Sequence, residues 1–316
     1  MTTTENVLKL GLPKGSLEKA TLDLMARAGF DIRVSDRSYL PQIDDPEIRV
    51  VMLRAQEMSR YVELGALDAG LTGQDWIAEN GSDVHVVADL IYAKASLSRV
   101  RWVLAVPENS KVRKVGDLEG CLVSTELLKV TEQYFRKQGV KVHVEFSYGS
   151  TEVKTILVGQ MRADSIISEL SAPAAAKHMV VSAIVDVTET GASLKAHGLR
   201  VIDTVMESNT QFIANKRSWK NHWKRVKIEN LAMLLQAAID AKEMVGLKMN
   251  VPKKALDRIV RLLPAEKSPT VSQLADPDWV ALEVILPGSQ ERRLLPELKR
   301  AGATGIIVYP LSKVIH

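Results

Sequence analysis

The stretch "VDVTETGASLKAHGL", residues 185–199, joins the end of an apolar strand pattern to the start of a short helical pattern. Three hydroxyl side chains and a glycine lie in the turn between the two patterns. Backbone N–H groups in such a turn, together with Thr and Ser hydroxyls, form a set of donors that suits phosphate oxygens. An ordinary capped turn explains the same residues, because the stretch matches neither the Walker A sequence nor the dinucleotide fingerprint. Both interpretations stay open from spacing alone.

Apolar runs alternate with helical patterns on both sides of this stretch. The first 95 residues contain four predicted strands, "VLKLGLP", "IRVVML", "LDAGLTG" and "VHVVADL", separated by helical patterns. A second unit with the same alternation begins near Arg99 with "RVRWVLAVP" and "GCLVSTE". This alternation is typical of mostly parallel sheets covered by helices, so the sequence predicts an α/β protein. Two such units in tandem leave a cleft, where ligands often bind.

The last third of the chain has a pattern of its own. A long amphipathic helix is predicted from Trp223 to Gly246, and its apolar stripe lies in "IENLAMLLQAAI". The remaining residues then follow the order β-α-β-β-α-β, which is typical of a ferredoxin-like unit. We therefore expect a small appended domain rather than a continuation of the core.

The composition restricts the class of protein. The 316 residues are enough for two or three domains, and the net charge of +4 with a pI near 9.0 is a weak basic bias that favours small anionic ligands. Aromatic residues make up only 5%, which does not indicate a nucleic-acid surface. The single cysteine, Cys121, excludes an internal disulfide, and we predict that it packs in a strand. With no signal-peptide pattern and no run of 18 apolar residues, we expect a cytoplasmic protein without a membrane segment.

Several stretches together resemble one family. Residues 184–208, "IVDVTETGASLKAHGLRVIDTVMES", closely resemble the phosphoribosyl-pyrophosphate loop of ATP phosphoribosyltransferase, the first enzyme of histidine biosynthesis. "LGLPKGSL", "VVMLRAQEMSRYVELGALDAGLTGQDWI" and "SLSRVRWVLAVP" fit the same family in the same order. The tail from "SPTVSQL" to "YPLSKVIH" resembles the regulatory domain of the family's long form. The resemblance covers nearly the whole chain.

The resemblance implies a fold and an assembly. The fold is a two-lobed catalytic core like that of periplasmic binding proteins, followed by a ferredoxin-like, ACT-like regulatory domain. We expect residues 1–97 to form the first catalytic domain with 200–224 returning to it, residues 98–199 to form the second, and residues 225–316 to form the regulatory domain. Long-form relatives are hexameric, so the expected assembly is a homo-hexamer in equilibrium with a dimer.

The resemblance also implies a reaction and the residues that serve it. Adenine N1 of ATP attacks C1 of the ribose in phosphoribosyl pyrophosphate, and pyrophosphate leaves with Mg²⁺ assisting. Asp186 is expected beside the ribose, and Lys14, Gly15 and Arg54 are expected at ATP or pyrophosphate. Lys14 and Asp186 are the predicted catalytic residues. The 5′-phosphate is expected to bind Thr188, Glu189, Thr190, Gly191, Ala192 and Ser193.

The regulatory ligand implied by the resemblance is L-histidine, which is expected to inhibit the enzyme. Asn250, Thr270 and Gly305 resemble the family's histidine-binding positions, although packing between domains also explains small residues there. The metal ligands are not indicated by any pattern. The six histidines have no metal-binding spacing, so metal binding by them is not expected.

Other polar residues have competing interpretations. Lys14 also fits a solvated lysine after a strand, and Arg54 also fits a helix start paired with Glu57. Asp75 is expected to cap the next helix rather than contact a ligand. Arg99 and Arg101 alternate with apolar residues, so they face either the cleft or solvent, and Glu145 and Tyr148 are minor candidates.

Two features depart from the family. The segment 155–177 resembles an insertion of roughly two dozen residues, and its role is not indicated. Ser16 stands where many relatives carry arginine. Two other functions stay open at this point, a non-catalytic two-lobed anion-binding protein and a phosphoribosyltransferase that acts on nucleobases.

Overall fold

A computed structural model describes residues 6–35, 38–92, 99–155, 181–264 and 269–315. The chain divides into two compact units. The first contains Met1–Thr21 and Arg33–Glu229, and the second contains Leu22–Ile32 and Asn230–His316. Most of the segment 155–177 lies outside the described residues, so the expected insertion stays a prediction.

Strands and helices alternate through the first 240 residues, as the sequence predicted. The strands are β1 (Leu8–Lys14), β2 (Ile32–Arg33), β3 (Gln42–Ile43), β4 (Ile48–Arg54), β5 (Ala69–Gly73), β6 (His85–Leu90), β7 (Val100–Pro107), β8 (Leu122–Thr125), β9 (His143–Phe146), β10 (Val181–Thr188), β11 (Leu199–Ser208) and β12 (Thr210–Ala214). The helices are α1 (Glu18–Ala28), α2 (Ala55–Glu63), α3 (Gln74–Asn80), α4 (Leu128–Gln138), α5 (Ala192–Ala196), α6 (Lys216–Lys220) and α7 (His222–Asp240).

The first lobe of the first unit is a five-stranded sheet with the order β4-β1-β5-β12-β6. Strand β1 pairs in parallel with β4 and β5, so the carboxyl ends of these three strands lie along one edge. Those ends are Lys14, Arg54 and Gly73. Ligands of open α/β sheets bind beyond the carboxyl ends of parallel strands, so this edge is where a site is expected.

The second lobe is a five-stranded sheet with the order β11-β7-β10-β8-β9. Strand β10 pairs in parallel with β8 and antiparallel with β7, which places Thr188 opposite Arg101. The predicted 185–199 turn therefore follows a central, buried strand. Cys121 is 7% exposed and belongs to the core of this lobe, but the prediction that it packs in a strand is wrong, because it lies directly before β8, which begins at Leu122.

The return of the chain to the first sheet occurs later than residue 200. Strand β11 pairs antiparallel with β7 between Leu199 and Ser208, so these residues belong to the second sheet. Strand β12, which begins at Thr210, pairs with β5 and β6 in the first sheet. The remaining predicted domain boundaries stay a prediction.

The tail forms a separate four-stranded sheet. Its strands are β13 (Met244–Pro252), β14 (Thr270–Gln273), β15 (Trp279–Pro287) and β16 (Thr304–Pro310), and its helices are α8 (Leu256–Val260) and α9 (Gly288–Arg300). The antiparallel order β14-β15-β13-β16 is that of a ferredoxin-like unit. The helices cover one face, where Leu247, Met249 and Leu282 pack against Leu294 and Leu298. The predicted fold class, a two-lobed α/β core with an added ferredoxin-like domain, is confirmed.

Two glycines on neighbouring strands make room for a helix above the first sheet. Gly11 of β1 and Gly70 of β5 are register partners, and the side chain of Met58 from α2 lies against both of them. A Cβ atom at Gly11 would lie 2.7 Å from Cδ1 of Leu67 and closer still to the sulfur of Met58. Met58 and Leu67 are buried, so neither side chain has free space to move into.

The Gly11→Ala variant is therefore expected to lose stability. Overpacking of a dense core costs about 1–3 kcal/mol, because side chains are forced away from favourable rotamers. Gly116→Ala is the matched control, since a Cβ atom there meets nothing within 4 Å and its φ is not positive. Urea unfolding followed by circular dichroism measures both free energies of unfolding. Equal values for Gly11→Ala and Gly116→Ala would contradict the close approach of α2 to this sheet.

Candidate active site

A cavity of about 580 Å³ lies at the carboxyl ends of the first unit's strands. This volume is in the range of sites for small molecules. The first lobe contributes the ends of β1, β4 and β5, and the second contributes β7 and the turn after β10. The lining residues include Lys14, Ser16, Arg54, Gln56, Asp75, Trp76, Tyr92, Trp102, Glu126, Val187, Thr188, Glu189, Thr190, Ser193 and Ser208.

The three residues predicted at ATP or pyrophosphate lie together at one side of this cavity. Gly15 has a φ of +105°, and a Cβ atom added there would lie 3.0 Å from Nη1 of Arg54, so a glycine lets the guanidinium lie against the backbone. Lys14 Nζ lies 4.5 Å from the centre of the Tyr39 ring. Lys14 and Arg54 both line the cavity, as does Ser16. The cavity therefore has a basic side that suits an anionic ligand.

The turn after β10 lines the same cavity from the second lobe. Gly191 has a φ of +80° and precedes α5, a helix of only five residues. The Thr188 hydroxyl accepts from the Gly191 N–H at 2.8 Å, and the Thr190 hydroxyl accepts from the Ala192 N–H at 3.3 Å. The Ser193 hydroxyl donates to Oε1 of Glu152 at 2.8 Å. Two amides and three hydroxyls of this turn are thus already hydrogen-bonded within the protein.

Asp186 lies at the end of β10, two residues before this turn. Its Oδ1 accepts from the Val187 N–H at 2.7 Å. The pKa of Asp186 is raised to about 7, mainly by burial; the Val187 hydrogen bond opposes the shift, and the negative charges of Glu152 and Glu126 add to it. Asp186 itself is not among the residues lining the cavity described here, whereas its neighbours Val187 and Thr188 are.

Asp75 has a larger role than the sequence indicated. The N-cap residue of α3 is Gly73, not Asp75, because Asp75 already lies inside the first helical turn. Asp75 is 5% exposed, and its carboxylate accepts from the Trp102 Nε1–H at 2.6 Å and from the Trp76 N–H at 2.9 Å. Its own N–H donates to the Ser208 hydroxyl at 3.1 Å. Burial raises the pKa of this carboxyl, and the hydrogen bonds oppose the rise.

Glu126 is a cavity residue that the sequence did not single out. It follows β8, and it lines the cavity on the side of the second lobe. Burial raises the pKa of Glu126, a hydrogen bond from the Gln56 side chain and the charge of Arg54 lower it, and the charge of Asp75 raises it. The strand-end position after "LVST" was the one available signal, because the carboxyl ends of strands are where such sites form.

The remaining polar candidates lie elsewhere. Arg99 pairs with Asp89 at 3.2 Å. Arg101 does not line the cavity, although the residues on either side of it, Val100 and Trp102, do. Glu145 pairs with Lys154 at 3.0 Å. Tyr148 is 96% exposed and packs edge-on against Phe146. None of these four candidates is among the residues lining the cavity described here.

The predicted histidine-binding residues are only partly brought together. Asn250 lies on β13 opposite Thr304, and its side chain lies 3.4 Å from a Cβ atom added at Gly305, whose φ is +55°. Thr270 lies on β14, with β15 between it and β13. Neighbouring strands are about 4.8 Å apart, so Thr270 lies roughly 10 Å or more from Asn250, which is two strands away, and about 14 Å or more from Gly305, which is three strands away. Asn250 and Gly305 are adjacent, and Thr270 is not.

The described part of the chain shows no group of three or more His, Cys, Asp or Glu residues arranged to hold a metal ion. In the same residues, no helix is both long enough and apolar enough to cross a membrane.

Two family models match this chain. The model described as ATP phosphoribosyltransferase matches residues 54–171 and 159–237, and the model described as HisG, C-terminal domain, matches residues 241–313. A protein of Chlorobium phaeobacteroides named ATP phosphoribosyltransferase is 54% identical over 315 residues, which covers 100% of both chains. A protein of Solibacter usitatus with the same name is 53% identical over 309 residues, which covers 98% of this chain and 99% of that protein.

A solved structure shares the fold. A chain of the ATP phosphoribosyl transferase (HisG:HisZ) complex from Thermotoga maritima aligns with a TM-score of 0.58 at 23% identity, covering 75% of this chain and 99% of that chain. At this identity the likeness concerns the fold alone. The family models and the full-length relatives go further, and they agree with each other. The chain therefore belongs to the ATP phosphoribosyltransferase family of histidine biosynthesis.

Proposed function

We propose that the cavity of the first unit is where this ATP phosphoribosyltransferase joins adenine N1 of ATP to C1 of the ribose in phosphoribosyl pyrophosphate. The observation that carries the proposal is that two features suited to anions line one cavity from different lobes. Lys14 and Arg54 come from the first lobe, and the hydroxyl-rich turn that begins at Thr188 comes from the second. A donor with a phosphate at one end and a pyrophosphate at the other needs both.

The turn from Thr188 to Ser193 holds the 5′-phosphate in this proposal. Its hydroxyls and its amides are donors of the kind that phosphate oxygens accept, and Gly191 lets the backbone approach closely. A charged acceptor forms hydrogen bonds about twice as strong as a neutral one, so phosphate displaces the internal partners of the Gly191 and Ala192 amides. Ser193 exchanges Glu152 for the phosphate in the same step.

Asp186 stabilises the ribose during the displacement. As pyrophosphate leaves, positive charge develops on the ribose ring, and a carboxylate at the end of β10 is placed to compensate it. The group acts in this way only when it is ionised. Lys14 and Arg54 compensate the negative charge that develops on the leaving pyrophosphate.

Mg²⁺ fits the donor set of this cavity as a substrate-bound ion. Proteins usually hold Mg²⁺ through one or two carboxylates and the phosphates of the substrate, so a three-ligand protein cluster is not needed. Asp186 and Glu126 are the residues that would share the ion, because the negative charge of Glu126 is one of the causes that raise the pKa of Asp186. When bound, Mg²⁺ neutralises charge on the pyrophosphate.

The apolar wall of the cavity suits the adenine ring. Trp76 and Trp102 pack edge to face with ring centres 6.1 Å apart, and Tyr92 lines the same cavity. Aromatic side chains provide large, rigid apolar surfaces for a planar base.

An assay of pyrophosphate release with ATP, phosphoribosyl pyrophosphate and Mg²⁺ tests the reaction. Free nucleobases should not replace ATP.

We also propose that the ferredoxin-like unit binds L-histidine and that the chain assembles as a homo-hexamer in equilibrium with a dimer in the cytoplasm. Support for the ligand comes from Asn250 and Gly305, which lie side by side on the sheet face opposite the buried Met249 and Val251. The single cysteine fits a reducing compartment. Support for the hexamer comes from the resemblance of the tail to the long form.

The first prediction concerns the phosphate-binding turn. Ser193→Ala should raise KM for phosphoribosyl pyrophosphate by about two- to tenfold, because the Ser193 hydroxyl gives up its bond to Glu152 when the phosphate binds and the net value of such an exchanged hydrogen bond is about 0.5–1.5 kcal/mol. KM for ATP should change much less. Ser110→Ala is the control, since the Ser110 hydroxyl accepts from the Val112 N–H outside the cavity. An unchanged KM in Ser193→Ala would remove Ser193 from the phosphate site.

The second prediction concerns pH. Because the pKa of Asp186 is raised to about 7, the carboxyl is protonated below this pH and ionised above it. If ionised Asp186 is needed, kcat/KM for phosphoribosyl pyrophosphate falls as the pH drops below about 7. Glu152→Gln removes a negative charge that raises the pKa of Asp186, so the fall in kcat/KM should occur at a lower pH in this variant.

Steady-state assays between pH 5.5 and 8.5 measure both profiles. Glu152→Gln leaves the titration of the substrate's own phosphate unchanged. A change in the pH at which kcat/KM falls therefore shows that the titrating group belongs to the protein. Identical profiles for the two proteins would exclude Asp186 as the group that titrates.

The third prediction concerns feedback inhibition. L-histidine should inhibit the full-length enzyme, and Asn250→Ala should weaken that inhibition at least tenfold while kcat without histidine stays within twofold. Thr270→Ala should have a smaller effect, because Thr270 lies roughly two strand spacings from Asn250. Inhibition curves measure both changes. Equal inhibition of Asn250→Ala and the unchanged protein would place the histidine site elsewhere.

A further inference from the structure

Helix α4 of the second lobe lacks a cap of its own. Its N-cap residue, Leu127, forms no side-chain hydrogen bond to the first turn, so the first amides of the helix need other partners. The carboxylate of Glu79 supplies them from the first lobe. Its Oε1 accepts from the Lys129 N–H and its Oε2 accepts from the Val130 N–H, each at 3.0 Å. One side chain thus uses both oxygens to hold the start of a helix 50 residues away.

The start of α4 is directly connected to the cavity wall. Strand β8 ends at Thr125 and α4 begins at Leu128, so Glu126 and Leu127 form the whole link between them. The Leu127 N–H donates to the Thr125 hydroxyl at 3.0 Å, and the Leu127 side chain is fully buried. The backbone of Glu126 is therefore held by β8 on one side and by the start of α4 on the other. Its carboxyl position depends on where the first turn of α4 lies.

Helix α3, which carries Glu79, is itself held firmly. Near its start Asp75 bonds to Trp102, and at its end the Asn80 side chain donates to the Gln56 carbonyl at 2.8 Å and to the Ser59 hydroxyl at 2.9 Å. The Gln56 side chain is in turn a hydrogen-bond partner of Glu126. The same short helix thus fixes the backbone of Gln56 through Asn80 and the backbone after Glu126 through Glu79.

We propose that Glu79 is a positioning residue that holds the Glu126 carboxyl on the cavity wall, between Gln56 and Arg54, by fixing the first turn of α4 across the two lobes. Glu79 is not among the residues lining the cavity described here, and it acts on the reaction only through Glu126. The inference rests on the proposed function of this cavity, in which Glu126 faces the substrates.

The test is a double-mutant cycle in the full-length enzyme. Glu79→Gln replaces one acceptor oxygen with an NH₂ group that faces a backbone N–H, and we expect it to lower kcat/KM about fivefold or more. Glu126→Gln should also lower kcat/KM. In the Glu79→Gln/Glu126→Gln double variant, the Glu79 substitution should have little further effect, because residues that act through one another are not additive.

Asp117→Asn is the matched control for loss of stability. The Asp117 carboxylate also accepts hydrogen bonds from two backbone amides, those of Arg113 at 2.8 Å and Lys114 at 3.1 Å, and it lies in the second lobe, as α4 does, outside the cavity lining. Thermal unfolding should show that Asp117→Asn and Glu79→Gln both remain folded at the assay temperature. Asp117→Asn should keep the kcat/KM of the unchanged enzyme within twofold.

The outcomes separate this inference from the proposed site. If Glu126→Gln leaves kcat/KM unchanged, the proposed role of this part of the cavity is wrong. If Glu126→Gln lowers kcat/KM but Glu79→Gln leaves it unchanged, or the two losses simply add, the positioning role of Glu79 is overturned. Glu79→Ala, which removes both acceptors, provides a second measurement of the same coupling, and thermal unfolding shows whether it is folded.

Discussion

A buried carboxylate joins the two sheets of the first unit at the cavity. Asp75 lies in the first turn of α3, directly after β5 of the first sheet, yet its hydrogen-bond partners Trp102 and Ser208 belong to the second sheet. A buried carboxylate without partners costs several kcal/mol, so these bonds are required once the side chain is buried. Because Trp102 also packs against Trp76, the same contacts fix the aromatic wall of the cavity. Asp75 thus helps to fix both the relation between the two lobes and the shape of the binding site.

The charges around the cavity are arranged for a ligand that carries both a negative charge and a metal ion. Burial is the main cause of the raised pKa of Asp186, and the negative charges of Glu152 and Glu126 raise it as well. Arg54 acts in the opposite direction on Glu126. Ionisable groups with shifted pKa values in a cavity are typical of functional sites. Such sites hold like charges close together, an arrangement that selection for stability alone would not keep. An anionic substrate balances the basic side, and a cation relieves the repulsion between the carboxyls.

The sequence predicted the strands better than it predicted the contacts between them. Apolar runs such as "RWVLAV" are buried central strands, and they could be recognised because their composition alone requires burial. The strand-end residues Lys14 and Arg54 were found for a similar reason, since the ends of parallel strands meet at one edge. Asp75 and Trp102 are 27 residues apart, and no local pattern connects them. Glu126 and Glu79 were missed for the same reason. The return of the chain to the first sheet was predicted too early, because the sequence of β11 is apolar enough for either sheet.

The hydrogen bonds that already exist within the turn after β10 limit how a phosphate can bind there. Thr188 and Thr190 hold the amides of Gly191 and Ala192, so the turn has no need of a ligand in order to satisfy its backbone. Replacing these neutral acceptors with a charged phosphate is favourable, since charge-assisted hydrogen bonds are the stronger kind. The exchange at Ser193 is different, because Glu152 is already a charged acceptor and the phosphate only replaces one anion with another. The net gain on binding must therefore come mainly from the two amides, and the Ser193 hydroxyl contributes less than either of them.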